Sequence, residues 1–357
     1  MRLTVNQRDL GCAIEDASVA TPKNHATISA VAKVLLRADE DGLTVTGCDG
    51  SGFFSIATCQ AEVQEQGEVL VDPFLKHVVS KRSGNVKLRT KKGSLLVDGR
   101  KLKGNMSTAD PQNFPIPRLE VGEDAESVLV PKDISQGVSL ALDDSGPVHW
   151  FRSIHFVDGH IAALPRGAGR LTIARVLPFK GQYIIRDKHL TLARRVVDWA
   201  VPITLLSTTA VMDGDDRKIV IPLEAGASVP AEILEEWLSI PTVINWRPRV
   251  EYDLMTELDL CIRLSGDGHR TGFSAKDNVL TLSSDGVAAG SHTAEIDIIS
   301  DGDFSFTANA EFWRDAVKHV AERIKVEMYE HGGVLHARIH NGDTFHFVSP
   351  QGKMGGK

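Results

Sequence analysis

His336 and His340 lie four residues apart in a stretch of alternating pattern, which puts both on one face of a strand, and His155 and His160 flank Asp158. Imidazoles and a carboxylate at such spacings are the raw material of a metal site or of proton transfer. Two ligands at a suitable spacing do not make a metal site without a third. The run Asp213-Gly214-Asp215-Asp216 gathers carboxylates, but Asp-Gly runs of this kind are hairpin-turn chemistry. Four cysteines, Cys12, Cys48, Cys59 and Cys261, are scattered with no C-x-x-C pair and read as buried reduced thiols. The sequence contains no Walker loop, dinucleotide fingerprint or nucleophile elbow. These residues argue against catalysis and imply neither a metal nor a cofactor.

A second kind of chemistry recurs. Three segments pair a short strand with an amphipathic helix carrying Lys and His side by side: Gly67–Arg82 with Lys76-His77, Tyr183–Val197 with Lys188-His189, and Phe304–Val320 with Lys318-His319. The copies lie about 110–130 residues apart, a domain's length. Each helix region is basic: Lys76, Lys81 and Arg82; Arg186, Lys188, Arg194 and Arg195; Arg314, Lys318 and Arg323. One basic helix is ordinarily a solvated face. Three at equivalent places point to a polyanion, since a helix along a phosphate backbone needs charge without base-reading donors.

Elements must position these helices. An earlier helical segment precedes each basic one, near Asn6–Ala17, Lys132–Leu142 and Tyr252–Leu264, and these lean acidic. Period-two runs at Leu43–Gly47, Val86–Thr90, Leu280–Ser283 and Thr344–Val348 predict half-buried strands. Lys91-Lys92-Gly93-Ser94 and Ser284-Asp285-Gly286 predict turns between strands. Each third therefore reads strand, helix, strands, helix, strands. A Pro-rich stretch at Asp110–Arg118 and a break between Ile240 and Pro248 divide the thirds.

The chain has 357 residues and a formal net charge of −7, which argues against a coat protein basic all over but not against one confined basic surface. Its start reads as a strand and not as a signal peptide, and no apolar run reaches membrane-spanning length, so the expected compartment is the cytoplasm.

Several segments resemble the bacterial replicative sliding clamp, the β subunit of DNA polymerase III. They are the opening Met1–Val5, Ala26–Leu36 followed by Leu43–Asp49, Ser107–Asp110 leading to Phe114-Pro115, Val148–Phe151, Tyr252–Ser265 and Phe345–Pro350. Their order and spacing over nearly the whole chain carry the resemblance. It implies an α+β fold of three repeated DNA-clamp domains at 1–120, 121–242 and 243–357, each with two helices packed on antiparallel sheets, together forming a half-ring. It further implies a head-to-tail homodimer that encircles double-stranded DNA and tethers the replicative DNA polymerase, served by a clamp loader, with no chemistry of its own.

By the same resemblance, DNA contacts come from Lys23 and His25, from Trp150 and Phe151, and from the basic helix residues Lys76, Lys81, Arg82, Arg194, Arg195, Lys318 and Arg323. A partner-peptide pocket maps to Arg152, Gly169, Arg170, Leu171, Pro230, Asn309, Phe312, Phe347 and Ser349. From the residues alone, Phe312 and Phe347 fit core and pocket equally. The dimer contact maps to Gly104 and Met106 on an edge strand and to Arg263 and Leu264 of the partner copy. Arg152, Ser349, Gly104 and Arg263 stand where the family has apolar residues. The competing reading is a clamp-like interaction module that works as a monomer and does not encircle DNA.

Overall fold

A computed structural model describes residues 1–22, 30–80, 83–117, 125–142, 152–164, 170–226, 228–265, 269–286, 290–320 and 324–351. The chain begins β1 (Arg2–Asn6), α1 (Gln7–Ser18), β2 (Val34–Asp39), β3 (Gly42–Cys48), β4 (Phe54–Cys59), β5 (Ala61–Glu65), β6 (Gly67–Val71), α2 (Leu75–Val79), β7 (Asn85–Lys91), β8 (Ser94–Gly99) and β9 (Leu102–Ser107). It continues β10 (Glu126–Val128), α3 (Lys132–Ser139), β11 (Ser153–Val157), β12 (His160–Ala163), β13 (Arg170–Arg175), β14 (Gln182–Arg186), α4 (Asp187–Ala193), β15 (Ile203–Leu205), β16 (Thr209–Asp213), β17 (Arg217–Pro222) and α5 (Ala231–Ser239). The last part holds β18 (Ile244–Pro248), α6 (Glu251–Leu264), β19 (Arg270–Lys276), β20 (Val279–Gly286), β21 (Gly290–Ser300), β22 (Phe304–Asn309), α7 (Ala310–Val320), β23 (Lys325–His331), β24 (Val334–His340) and β25 (Thr344–Val348).

Two compact units result, each from two stretches of chain. One is Met1–Leu129 with Lys188–Glu224, the other Val130–Asp187 with Ala225–Lys357. The first unit holds a five-stranded sheet, β5-β1-β7-β8-β9, and an eight-stranded sheet, β10-β15-β16-β17-β4-β3-β2-β6. The second holds a twelve-stranded sheet, β14-β11-β12-β13-β25-β24-β23-β18-β21-β20-β19-β22. The units cut the middle third instead of falling at its ends, near 120 and 242. The cause is strand pairing: β17 pairs with β4, whereas β13 pairs with β25.

Local chemistry explains the helices. Asn6 caps α1 by accepting hydrogen bonds from the amides of Arg8 and Asp9, and Asn309 caps α7 by accepting from Glu311 and Phe312. In α1 the buried residues Leu10, Ile14 and Ala17 fall on one stripe, as Ala310, Trp313, Val317 and Val320 do in α7. Trp313 is fully buried and stacks with Trp246 (centroids 5.7 Å, planes 17° apart) and packs on Phe273 at 4.8 Å. Before α2, the Asp72 carboxylate accepts from the Phe74 amide.

The basic helices are those expected, but shorter in two cases, and α5 was not expected at all. The turn expected at Lys91–Ser94 forms, with Lys92 and Gly93 both at positive φ, as a two-residue hairpin turn requires. The turn expected at Ser284-Asp285-Gly286 does not form there. β20 runs through Gly286, whose partner is Gly290, because the β20–β21 ladder is long enough to carry Ser284 opposite His292. Asp213–Asp216 does join β16 to β17, and Asp158-Gly159 joins β11 to β12. Cys48 and Cys261 are buried, Cys59 is half-buried and Cys12 is exposed; all four are free thiols.

Candidate functional site: basic helices and the start of α7

In the first unit, Lys76 on α2 does not stand free: its Nζ lies 2.6 Å from Glu15 on α1. Next along, Lys188 on α4 and Arg195 in the turn just past it are exposed. Arg194 turns inward. Its Nη1 donates to the carbonyls of Asp198 (2.7 Å) and Val201 (3.0 Å), and its guanidinium sits 4.8 Å from the centre of the Trp199 ring. Burial lowers its pKa to about 10, which leaves it charged at neutral pH. Arg194 therefore ties down the loop after α4 and does not present charge outward, contrary to the sequence expectation. The reason is helix geometry: Arg194 lies four residues after buried Leu190, on the core stripe.

The Lys-His pairs also divide. Lys188 is exposed, whereas His189 is 3% exposed, stacks on Phe53 at 5.0 Å and lies 3.3 Å from the Asp49 carboxylate. That contact, with the Ser51 hydrogen bonds, overcomes desolvation by burial and holds the Asp49 pKa below the usual range. In the second unit Lys318 on α7 is exposed. Arg314 is held by Asp315 at 2.9 Å, with Asp259 and Glu311 beyond. Lys23, His25, Lys81, Arg82, Trp150, Phe151 and Arg323 lie outside the described residues.

The residues expected to form a peptide pocket all belong to the second unit. β13 and β25 pair so that Arg170 faces Val348 across the ladder and Leu171 faces Phe347. Alternation sends successive side chains to opposite faces. On one face Leu171 and Phe347 join the cluster built by α5, where Trp237 meets Phe347 and Tyr329 edge-on. Phe347 is 2% exposed, so it is core. On the other face Arg170, itself 8% exposed, places its guanidinium 5.1 Å over the Phe312 ring and its Nη1 3.5 Å from Asp315. Desolvation pulls the Arg170 pKa down and Asp315 opposes that pull. Asn309, buried, caps the helix that carries Phe312 and Asp315. Arg170, Phe312 and Asn309 thus converge at the start of α7. Leu171 and Phe347 gather beneath α5, whose first residue follows exposed Pro230.

Ser349 leaves β25 on the α5 side, with its hydroxyl 3.2 Å from His336 Nδ1. Arg152 is exposed. Gly169 lies outside the described residues. The sequence reading missed Trp237 and Asp315. Trp237 carried a signal: Leu234, Trp237 and Leu238 follow helical spacing after Pro230.

Of the residues mapped to a dimer contact, Gly104 and Met106 lie on β9, the last strand of its sheet. Met106 is half-buried against the first unit's core. A methyl group at Gly104 would find Val97 and Val78 at ordinary contact distances, 3.7 and 3.9 Å. At the end of α6, Arg263 is exposed and Leu264 half-buried.

The histidines that suggested chemistry have separate partners. His336 stacks on Tyr329, and His340 stacks on Phe345 with its Nε2 3.3 Å from Glu327. His155 Nδ1 is 3.1 Å from the Ser228 hydroxyl, His160 Nε2 is 3.2 Å from Glu235, and Asp158 accepts from the Gly181 amide. Among the described residues no three His, Cys, Asp or Glu side chains are placed to hold a metal ion. No described helix is long and apolar enough to cross a membrane.

No protein-family model matches the sequence, and no curated protein matches it either. Solved structures do. The putative DNA polymerase III β subunit of Eubacterium rectale superposes with a TM-score of 0.84 at 18% identity, over 98% of this chain and 99% of that one. The Bacillus subtilis DNA polymerase sliding clamp gives 0.84 at 16% identity, over 99% of both chains. The Helicobacter pylori β clamp bound to a DNA ligase peptide gives 0.80 at 14% identity, over 99% of this chain and all of that one (100%). What the chain has, from end to end, is the fold of the bacterial DNA polymerase III β sliding clamps.

Proposed function

We propose that this protein is a DNA sliding clamp, a non-catalytic processivity factor that encircles duplex DNA as a head-to-tail homodimer in the cytoplasm. The observation that carries the reading is the correspondence with clamp structures over 98–99% of the chain. In this reading the three clamp domains are 1–120, 121–242 and 243–357, and neighbouring domains share sheets. Lys188 on α4, Arg195 just past it and Lys318 on α7, all exposed, each suit contact with a phosphate backbone without reading bases. A ring reconciles that role with a net charge of −7, because topological linkage takes the place of affinity.

The open edge of β9 is where a partner copy docks, with Gly104 and Met106 meeting Arg263 and Leu264 of the other protomer. Arg170, Phe312 and Asn309, with Leu171 and Pro230 nearby, receive short peptides from the replicative polymerase, the clamp loader and other partners. That a related fold carries a DNA ligase peptide supports this part of the reading.

The test is retention on DNA circles. After loading with a clamp loader and ATP, the protein should stay on nicked circular DNA and leave when the circle is linearised. Equal retention on both forms would overturn encirclement. Sedimentation across micromolar concentrations should show a dimer; a monomer throughout would overturn the ring.

A further inference from the structure

Three hydrogen bonds run in line through the second unit. The Thr172 hydroxyl on β13 lies 2.9 Å from His346 Nδ1 on β25, His346 Nε2 lies 3.0 Å from His319 Nδ1 on α7, and His319 Nε2 lies 2.6 Å from the main-chain carbonyl of Asp133 on α3. Thr172 and His346 are completely buried. The His319 ring lies against Gly137 of α3, where an added Cβ would come within 2.1 Å of its Cε1. Only glycine at that position admits the ring.

The geometry fixes the protons. A carbonyl only accepts, so His319 carries its hydrogen on Nε2. In a neutral pair His319 Nδ1 then accepts from His346 Nε2–H, and His346 Nδ1 accepts from the Thr172 hydroxyl. One added proton is accommodated by reversing the last bond: His346 donates from Nδ1 and Thr172 accepts. A second is not, because it sets N–H against N–H at 3.0 Å.

We propose that Thr172, His346 and His319 form a one-proton relay that positions the groove strands against α3 and α7, and that proton uptake loosens the groove around Arg170. This rests on the peptide-groove reading above. The charged groups near the pair are Arg170 on β13 and Asp315 on α7; α3 presents the Asp133 main-chain carbonyl, and β24 presents apolar Ile339 opposite His346. A cation in the relay repels Arg170, which is held over Phe312 by Asp315. Burial and then His319 and Arg170 push the His346 pKa well below 6.5, so the effect belongs to the acid side of that value.

The experiment uses the full chain. Nitrogen-15 NMR of its histidines should show both rings as the Nε2–H tautomer at pH 8 and a single proton uptake shared by the two on acidification. An Nδ1–H ring at pH 8, or two independent titrations, overturns the relay. Affinity for the ligase peptide of the Helicobacter pylori complex should hold from pH 7.5 to 6.5 and fall by roughly threefold or more only as the pH drops through the proton uptake that NMR reports. His346→Gln, which cannot titrate, should flatten that profile. Thr172→Val removes the acceptor for the added proton and should move the profile to lower pH. Equal profiles in wild type and both variants overturn the coupling. No peptide binding at any pH overturns the groove reading and the coupling with it, while the NMR result still decides the relay.

Discussion

Trp237 on α5 meets Phe347 on β25 edge-on, with ring centroids 5.6 Å apart and planes 78° apart. One face of the β13–β25 pair is thereby occupied by the protein's own helix. Of the residues at the start of α7, Phe312 is half-buried while Arg170 and Asn309 are buried, and Phe347 is reached only if α5 yields.

Trp237→Ala should therefore destabilise the protein by about 3 kcal/mol through lost packing on Phe347 and Tyr329. Urea unfolding followed by circular dichroism measures this. A change below about 0.5 kcal/mol, the range of ordinary surface substitutions, would show that α5 is not anchored by this ring.

Neighbouring arginines should behave oppositely. Arg195→Ala, which removes an exposed charge, should weaken DNA association and reduce the salt slope by about one unit while leaving the melting temperature in place. Arg194→Ala should lower the melting temperature, because the Asp198 and Val201 carbonyls lose their donor. The reverse pattern would contradict the orientation of α4.

Acid stability should depend on Glu327. Its hydrogen bond with His340, and then Arg338, hold the carboxyl at about 2 against the ordinary 4.5, in opposition to burial. A depressed carboxylate stabilises the fold fully above its unfolded value and loses that contribution as pH falls through its folded value. The stability gap between wild type and Glu327→Gln should thus be greatest above pH 4.5 and shrink towards pH 2. A gap constant from pH 6 to 2 would refute the assignment.

The thiols give a fourth check. Burial pushes Cys48 up to about 11 and Cys59 up to about 12, and raises Cys261 as well. Only exposed Cys12 should react quickly with a disulfide reagent at pH 8 in the native protein, and all four should react in urea. Cys12→Ser should remove the fast phase.

The strand-then-basic-helix units were legible because the hydrophobic period changes from two to 3.6 where the helix begins, with Asn309 marking the third start. Arg194 and Arg195 were not separated, though the Leu190–Arg194 spacing held the information, because exposed and core-facing arginines are the same letter until the buried stripe is fixed. His346 was invisible for another reason. Thr344–Val348 alternates as a half-buried strand does, but all five residues of β25 are buried, so the polar side of the alternation that carries His346 also lies inside. Helix α5 was overlooked although Leu234, Trp237 and Leu238 keep helical spacing, because it is short and lies outside the repeated strand-then-basic-helix units. Sheet sharing was beyond reach: nothing local in β17 specifies β4 as its neighbour.

Both units are assembled from interleaved stretches of chain, which sets a timetable for synthesis. Thr172 and His346, which meet across β13 and β25, are 174 residues apart. At ribosomal speed that interval lasts on the order of ten seconds or more. Throughout it β13 is a nascent strand with one edge unpaired, while residues 188–224 are completing the other unit. The chain therefore passes through a half-built stage in which one unit is complete and the other awaits its last strand. A stop codon before Thr344 would make that stage permanent.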